Sequence, residues 1–292
     1  MRAVLFPGQG AQYKGMGKEL FPLYPQLTKT ASEILGYSLE ELCLEDRGNQ
    51  LRYTQYTQPA LYVVNALGYM KKKREGAADA HADYFAGHSL GEYNALLAAE
   101  VFDFETGLRL VQKRGELMGN ASGGAMAAVI GVDALRVRQV LDENGLQEID
   151  LANYNTPSQT VISGKADAVN RADKAFRNAN IRCVVLNVTA PFHSRYMQPA
   201  RNEFAEVVKQ FRFFRPRVPV ISNVTARPHQ GQIPELLVSQ ITSPVRWNDS
   251  IRYLLSQGDM QFTEIGSSIL TNMVNEICKV ADVSQSRQAV AR

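Results

Sequence analysis

The sequence has little of what marks a secreted, membrane-bound or metal-binding protein. Its 292 residues include three cysteines, Cys43, Cys183 and Cys278, which lie far apart and form no C-x-x-C pair. That spacing gives no support for a disulfide framework or a zinc site, so we predict no metal. No apolar run comes near the roughly 18 residues that span a bilayer, and the chain opens without a signal peptide. We therefore expect a cytoplasmic protein that makes no contact with membranes.

A strong charge of either sign is also missing. The chain has 32 Lys and Arg against 29 Asp and Glu, a net charge of +3, and 45% of its residues are hydrophobic. So small an excess does not argue for nucleic-acid binding, and the composition is that of a globular protein. The one basic cluster, residues 71–74, follows a predicted helix, where cations favour the helix dipole. The length accommodates a large domain with a smaller insert.

What the sequence does contain is a nucleophile-elbow pattern, G-x-S-x-G, at Gly87-His-Ser-Leu-Gly91. An apolar run, residues 84–86, precedes it, and a helix-forming run, residues 92–100, follows it. Glycines permit the sharp turn, so the Ser89 hydroxyl should project from the sheet edge toward the positive end of a helix that starts at Leu90. An ordinary strand-to-helix turn is the alternative, but the context favours a catalytic serine.

A glycine-rich loop follows the first predicted strand, residues 3–6. Its sequence, Pro7-Gly-Gln-Gly-Ala-Gln12, does not complete G-x-G-x-x-G, because Tyr13 stands in the last position, and it is followed by no Walker lysine-serine pair. What remains is a loop whose backbone N–H groups can approach a ligand closely. Beside a nucleophile in a hydrolase-like fold, the N–H of Gln9 could serve as an oxyanion donor.

One arginine lies on the apolar face of its predicted helix, residues 105–118. The neighbours of Arg114 at three and four positions along the helix are Leu110, Val111, Leu117 and Met118. A guanidinium placed there requires an anionic partner or a route to water, because an unpaired buried charge is costly. Two interpretations are equal at this point: a structural ion pair with a nearby carboxylate, and a ligand-binding arginine.

Of the four histidines, His193 is the best candidate for a general base. It lies in Ala190-Pro-Phe-His-Ser194, between a predicted buried strand and a predicted helix. His81 lies in a polar linker, His88 is next to the serine, and His229 lies in a loop that contains Pro and Gly. A histidine that activates the serine would complete a nucleophile–base pair. A histidine that only caps a helix start is the alternative.

The middle of the chain differs in pattern from its two flanks. It predicts strands at residues 126–130, 149–154, 160–163 and 182–188, and helices at residues 134–143 and 166–178. The order βαββαβ is the ferredoxin-like plan. We therefore predict an α/β protein in which residues 1–122 and 190–280 form a large α/β-hydrolase-like subdomain with a parallel sheet. Residues 123–189 would form an inserted ferredoxin-like small subdomain, and residues 281–292 a polar tail.

Seven short motifs occur in order along the chain. They are Gly8-Gln-Gly-Ala-Gln12, Thr57-Gln-Pro-Ala60, Gly87-His-Ser-Leu-Gly-Glu92, Lys113-Arg-Gly115, Phe192-His-Ser194, Ser222-Asn-Val224, and Gln240 with Pro244-Val-x-Trp247. Together they resemble the malonyl-CoA:acyl carrier protein transacylase family, which includes acyltransferases of fatty acid and polyketide synthesis. The ordered set is specific, although each motif alone is weak. The position of the first motif at the start of the chain suggests a discrete acyltransferase, or the leading domain of a longer protein, similar to those that serve polyketide synthases in trans.

The resemblance implies a role for each matched site residue. Ser89 would take the malonyl group from coenzyme A as an ester, and His193 would accept the serine proton and return it to the leaving thiol. The family orients its histidine through a backbone carbonyl, and Gln240 matches that position. The oxyanion hole would be formed by the backbone N–H groups of Leu90 and Gln9.

The resemblance also implies selectivity for a carboxylated acyl group. Arg114 matches the arginine that holds the malonyl carboxylate, which decides between the two interpretations of its apolar position. A guanidinium can pair bidentately with that carboxylate in a dry pocket, where an acetyl group would leave it unpaired. Such a mismatch can discriminate by about 10⁴-fold. Phe192, where fatty-acid enzymes commonly carry a small residue, should narrow the space beside the acyl α-carbon.

The partners that the resemblance implies are malonyl-CoA as substrate and an acyl carrier protein with its phosphopantetheine arm. It implies no tightly bound cofactor, and we expect a monomer. Because acyl carriers are acidic, Arg195, Arg201 and Arg246 are hypothetical contributors to a basic rim. The sequence departs from the family at Ser267-Ser268, where Gly-Pro-Gly is frequent, and this departure concerns local loop geometry.

Two alternatives come from other classes of protein. An acyl hydrolase or thioesterase would share Ser89 and His193, but hydrolysis of simple esters does not need the carboxylate-binding Arg114. An α/β-hydrolase would also place an acidic residue between the serine and the histidine. Asp150, Asp167 and Asp173 lie in that interval, but all three fall in the predicted insert. A non-catalytic carrier-binding module is the second alternative. Such a module would not need Ser89, His193 and Arg114, so the presence of all three argues against it.

Overall fold

The computed structural model describes residues 1–76 and 82–290, with side chains through residue 281. It is an α/β fold that contains two four-stranded sheets, one parallel and one antiparallel, and the predicted α/β class is confirmed. His81 of the predicted linker lies outside the described residues. Within them, no helix is both long enough and apolar enough to cross a bilayer.

The parallel sheet forms the centre of the molecule. Its strands are β1 (Arg2–Phe6), β2 (Tyr84–Gly87), β7 (Val220–Ile221) and β8 (Gln261–Glu264), in the order β7-β2-β1-β8. All four residues from Ala3 to Phe6 are fully buried, because helices cover both faces of this sheet. Strands β1 and β2 are hydrogen-bonded neighbours in register Phe6↔Gly87. The loops that follow them therefore leave the same edge of the sheet, side by side.

Nine helices accompany the parallel sheet in the described part of the chain. They are α1 (Pro25–Leu35), α2 (Leu39–Glu45), α3 (Thr54–Arg74), α4 (Gly91–Ala98), α5 (Phe104–Gly119), α8 (Gln198–Val208), α9 (Ile233–Gln240), α10 (Trp247–Leu255) and α11 (Ile269–Val290). Helices α3 and α5 pack closely on each other. Gly115 of α5 permits this, since a Cβ there would lie 3.2 Å from the carbonyl oxygen of Thr54.

The antiparallel sheet is built from the middle of the chain. Its strands are β3 (Gly124–Ile130), β4 (Asp150–Thr156), β5 (Gln159–Lys165) and β6 (Arg182–Val185), in the order β4-β5-β3-β6. Helices α6 (Ala134–Glu143) and α7 (Ala166–Asn178) cover one face and share a separate hydrophobic core with it. The observed order β3-α6-β4-β5-α7-β6 is the βαββαβ order that the sequence predicted.

Two predicted helices differ from those in the structure. The sequence pattern predicts a helix over residues 57–70, with Thr57 as its cap and Pro59 in its first turn, and a last helix over residues 269–278. Helix α3 begins at Thr54, so Thr57 lies inside it, where its hydroxyl donates to the carbonyl of Leu51 at 2.6 Å. Pro59 is likewise inside the helix rather than in its first turn. The last helix was predicted to end at residue 278 and extends to Val290.

Candidate active site

The turn after β2 places Ser89 in a strained backbone conformation. Its φ is 51°, a left-handed value that non-glycine residues seldom adopt. The chain can turn this sharply because α4 starts immediately afterwards against β1, where Gly91 leaves no room for a side chain. A Cβ at Gly91 would lie 2.0 Å from the carbonyl oxygen of Phe6. The predicted strand–turn–helix context of the serine is therefore present.

Asn223 holds this turn through its side-chain amide. Its Oδ1 accepts from the backbone N–H of Ser89 at 2.6 Å, and its Nδ2 donates to the carbonyl of Gly87 at 2.7 Å. Both atoms of one amide are thus used on the two sides of the serine. Asn223 follows β7, the strand next to β2, so the sheet itself brings it to the turn.

His193 lies within hydrogen-bond distance of the serine. Its Nε2 is 2.8 Å from Ser89 Oγ, and its Nδ1 faces the carbonyl oxygens of Gln240 at 2.9 Å and Ser243 at 3.2 Å. Carbonyl oxygens only accept, so the partners assign the proton to Nδ1 and leave Nε2 as the acceptor for the serine hydroxyl. The predicted pairing of serine, histidine and the residue-240 carbonyl is brought together in this geometry.

The histidine is held in its neutral form by its surroundings. Burial, with the positive charge of Arg114 as a second cause, lowers the pKa of His193 to about 3. The carbonyl oxygens at Nδ1 act in the opposite direction but do not outweigh burial. A neutral imidazole whose Nε2 faces a hydroxyl can take up the proton of that hydroxyl at physiological pH.

Arg114 projects from α5 to the same point and is fully buried. Its Nη1 donates to Gln58 Oε1 at 2.7 Å, and its Nη2 donates to Gln240 Oε1 at 2.8 Å and to Ser89 Oγ at 3.1 Å. The Tyr93 ring lies 5.4 Å away, and Nε has no partner among the described residues. No carboxylate in the described chain pairs with this guanidinium, so the interpretation of a structural ion pair was wrong.

A cleft of about 200 Å³ opens beside Ser89. Its walls come from the loops that follow β1 and β2, from the antiparallel sheet and from α11. Its lining is mostly apolar, with Met118, Met126, Val161, Leu186, Val188, Phe192 and Met273 among the contributors. Gln9 and Leu90 also line it. Within the described residues, neither of their backbone N–H groups has a hydrogen-bond acceptor. Both groups are therefore available to a ligand oxygen.

The cleft also contains a second histidine, His88, to which the sequence assigned no role. His88 Nε2 lies 3.0 Å from Asn155 Oδ1 and 3.5 Å from Asn153 Nδ2. Burial lowers the pKa of His88, and the asparagine hydrogen bond acts against this shift.

Gln58 and Asn223 were also missed as individual site residues. Each stands inside one of the seven motifs, but a motif alone does not reveal which atoms meet.

The hypothetical basic rim is partly neutralised. Arg195 forms a bidentate ion pair with Asp150, and Arg246 pairs with Asp249 at 2.8 Å. Arg201 donates to the hydroxyl of Thr242 at 3.3 Å. Asp150 is therefore engaged by an arginine and does not orient His193, contrary to what an Asp–His–Ser triad would require.

A serine on a strand–helix turn, hydrogen-bonded to a neutral histidine beside a cleft, is the arrangement typical of enzymes that carry acyl groups on a serine. The family model described as "Acyl transferase domain" matches residues 4–290 of this chain. The chain therefore belongs to the acyl transferase domain family. This confirms the predicted recognition and the prediction that the protein is an acyltransferase.

Two relatives from Bacillus subtilis differ in how much of them the chain covers. The polyketide biosynthesis malonyl CoA-acyl carrier protein transacylase PksC is 50% identical over 286 residues, which are 97% of this chain and 99% of PksC. The polyketide biosynthesis protein PksE is also 50% identical over 286 residues. These are 97% of this chain but only 37% of PksE, so the chain spans about a third of that longer relative.

Solved structures of the same family superpose closely. A malonyl CoA-acyl carrier protein transacylase from Burkholderia pseudomallei has a TM-score of 0.93 and 48% identity, covering 96% of this chain and 98% of that one. A malonyl-transacylase solved in complex with its type II polyketide synthase acyl-carrier protein, PlMCAT:AntF, has a TM-score of 0.89 and 36% identity. That match covers 94% of this chain and 92% of the other.

Proposed function

We propose that the protein transfers a malonyl group from malonyl-CoA to the phosphopantetheine thiol of an acyl carrier protein, in polyketide biosynthesis. The observation that carries this proposal is Arg114, a fully buried guanidinium 3.1 Å from Ser89 Oγ that no described carboxylate neutralises. A cation so placed is matched by an acyl group that carries its own carboxylate. The names of PksC and of the malonyl-transacylase solved with its carrier support the same substrate and partner.

The first half-reaction would form an ester on Ser89. His193 Nε2 takes the hydroxyl proton while Oγ attacks the thioester carbonyl of malonyl-CoA. The carbonyl oxygen gains negative charge, which the N–H groups of Leu90 and Gln9 stabilise. As the C–S bond breaks, His193 returns the proton to the sulfur, and coenzyme A leaves as a thiol.

The second half-reaction repeats these steps with the carrier. The phosphopantetheine thiol gives its proton to His193 and attacks the seryl ester, and the same two N–H groups stabilise the oxyanion. The C–O bond to Ser89 then breaks, and the histidine returns the proton to Oγ. No water takes part, so a mostly apolar cleft favours transfer over hydrolysis.

Arg114 would set the acyl selectivity. An acetyl group would leave the desolvated guanidinium unpaired, a mismatch that can cost about 10⁴-fold in selectivity. Phe192 lines the same cleft and would disfavour a methyl branch at the α-carbon. We also propose that residues 1–122 and 190–280 act as an α/β-hydrolase-like subdomain and residues 123–189 as a ferredoxin-like one, with the cleft between them.

The experiment that tests the proposal is intact-protein mass spectrometry after brief incubation with malonyl-, methylmalonyl- or acetyl-CoA. We expect a malonyl adduct on the wild type, none on Ser89→Ala, and a weaker or acetyl-shifted adduct on Arg114→Ala. The acyl-hydrolase alternative makes the opposite prediction: no durable adduct, and free malonate that accumulates without any carrier. That outcome would overturn the proposed transfer.

A further inference from the structure

A buried carboxylate lies behind Arg114 without touching it. Glu92, in the first turn of α4, is fully buried, and its Oε2 accepts from Gln240 Nε2 at 2.7 Å and from the N–H of Asn223 at 3.0 Å. Its Oε1 lies 2.8 Å from His229 Nε2. At the other end of the same amide, Gln240 Oε1 accepts from Arg114 Nη2 at 2.8 Å. One neutral amide therefore stands between the two opposite charges.

Unlike a direct ion pair, this arrangement leaves a guanidinium donor of Arg114 available to a ligand. Coulomb attraction falls only as the inverse of distance, so a carboxylate one side chain away still lowers the cost of burying the guanidinium. A carboxylate in direct contact would instead occupy the guanidinium donors and cancel its charge. With the amide between them, Arg114 Nε keeps no protein partner in the described chain. The arginine is thus kept charged but not neutralised.

We propose that Glu92 is an indirect counterion of Arg114, separated from it by the side chain of Gln240. The neutral amide of Gln240 thereby keeps the guanidinium available to bind the carboxylate of the acyl group. This inference rests on the proposed function and deepens it. Glu92 touches no substrate and acts through Gln240, so it is a positioning residue. His229 and Asn223 hold its two oxygens in place.

The first test variant, Glu92→Gln, removes the charge and keeps the shape. The new carbonyl oxygen can still accept from Gln240 and Asn223. The new NH₂ would face His229 Nε2, which can accept once its proton moves to Nδ1, an atom with no partner among the described residues. The buried guanidinium would then lack its counterion while the hydrogen-bond network is retained.

The second variant is the exchange Glu92→Gln with Gln240→Glu. It preserves the net charge of the protein but moves the negative charge into contact with Arg114. The backbone carbonyl of residue 240, which faces His193 Nδ1, is unchanged by the exchange. A purely structural role for Glu92 would not distinguish the two variants by acyl group.

The readouts are the rates of acyl-enzyme formation with malonyl-CoA and acetyl-CoA, and the melting temperature in a Ser89→Ala background with and without malonyl-CoA. For Glu92→Gln we expect the melting temperature to fall by about 5 °C or more. Malonyl-CoA should raise the melting temperature of this variant by more than it raises that of the parent, since its carboxylate supplies the missing charge. The malonyl-to-acetyl ratio should stay at or above the wild-type value.

For the exchange we expect the reverse. Its melting temperature is not a deciding readout, because a carboxylate at residue 240 can no longer donate to the carbonyl of Ser89 or to residue 92. Malonyl loading falls by about 100-fold or more, because the carboxylate at residue 240 competes with and repels that of the acyl group. Acetyl loading should not fall in parallel. Asp133→Asn, a carboxylate-to-amide change at the exposed N-cap of α6, is the matched control and should leave all readouts unchanged.

The inference is overturned if both variants lose malonyl and acetyl loading equally, or if the exchange keeps the wild-type ratio. Should Glu92→Gln not fold, the exchange decides the question alone, because its charge is conserved. A wild-type protein that forms no malonyl ester would be a different result. It would overturn the proposed function itself, and with it the basis of this inference.

Discussion

At the scale of single residues, the conformation of the serine depends on a side chain from the loop that follows a neighbouring strand, β7. Asn223 uses both ends of its amide to hold the turn around Ser89. A left-handed serine costs energy, which the surrounding hydrogen bonds must offset. The position of the nucleophile is therefore a property of two strands rather than of the elbow motif alone.

Asn223→Ala should thus weaken both stability and acylation. The change leaves the half-buried N–H of Ser89 and the buried carbonyl of Gly87 without their partner, so we expect a loss of about 1–3 kcal/mol in the free energy of unfolding. The rate of ester formation should fall with it. Asn144→Ala is the control, since it removes one hydrogen bond at the end of α6, far from the turn. Urea unfolding and adduct formation measure both; equal effects of the two variants would contradict the prediction.

The low pKa of His193 has a consequence for stability as well as chemistry. In the unfolded chain a histidine titrates near 6.5, while burial and the charge of Arg114 lower the folded pKa to about 3. Between these values the unfolded chain binds a proton that the folded chain does not. The free energy of unfolding should therefore fall as the pH decreases below about 6.5, by about 1.4 kcal/mol per pH unit from this group.

His193→Asn should make that dependence shallower. Asparagine tolerates the positive φ of 57° found at this position and does not titrate. We expect urea unfolding at pH 7, 6 and 5 to show a smaller decrease for the variant than for the wild type. His88 remains in both proteins, and its lowered pKa contributes with the same sign. Identical slopes would show that His193 is not the group responsible.

The sequence was informative about which residues belong to the site but not about how they are connected. Spacing on an amphipathic helix was enough to identify Arg114 as an arginine on an apolar face. It could not reveal that Gln58 and Gln240, from helices α3 and α9, would accept its hydrogen bonds. Contacts between residues 56 and 126 positions apart depend on the packing of helices, which a local pattern does not encode.

At the scale of secondary-structure elements, the close approach of α4 to β1 positions the serine. Gly91→Ala would place a Cβ 2.0 Å from the Phe6 carbonyl oxygen, a backbone atom that cannot move aside cheaply. We expect a loss of about 3 kcal/mol or more in stability. Gly164→Ala in β5 is the control, because its Cβ would meet atoms no closer than 3.5 Å. Thermal unfolding compares the two; similar melting temperatures would refute the argument.

Elements were predictable where their pattern was local. Helix α6 follows the predicted residues 134–143, since one apolar face and its N-cap Asp133 determine it. Helix α3 was predicted three residues too short at its start because proline suggested a first turn. Thr54 and Thr57 are buried by tertiary contacts instead, and these override that preference. Strand β7 has only two residues, and its length depends on pairing with β2.

At the scale of the whole molecule, one carboxylate links helix α11 to the antiparallel sheet beside the cleft. Glu276 of α11 accepts from Thr156 Oγ1 at 2.7 Å and from Ser158 Oγ at 2.5 Å, at the turn between β4 and β5. Helix α11 and strands β4 and β5 each contribute to the lining of the cleft. The width of the cleft is therefore tied to this contact.

Glu276→Ala should loosen that contact without touching the reacting groups. We expect the concentration of malonyl-CoA that gives half-maximal loading to rise, and the maximal rate to change less. Stability should fall by about 1–3 kcal/mol. Glu276→Gln, which keeps one acceptor, should lie between the alanine variant and the wild type. Stopped-time mass spectrometry over a range of malonyl-CoA concentrations measures this, and an unchanged half-maximal concentration would contradict it.

The chain enters and leaves the segment that contains the antiparallel sheet at one point. The N–H of Gly124 donates to the carbonyl of Thr189 at 3.2 Å, so the two ends of the intervening segment are adjacent. Ser89, Arg114, His193 and Gln240 all lie outside that segment, while Met126, Asn153, Asn155 and Val161 within it line the cleft. Of these four, Asn153 and Asn155 also contact His88, so a replacement segment has to keep both asparagines. An engineer could therefore replace residues 124–189 with the corresponding stretch of a relative as one cassette. Such chimeras would vary the shape of the acyl pocket while every reacting group keeps its place.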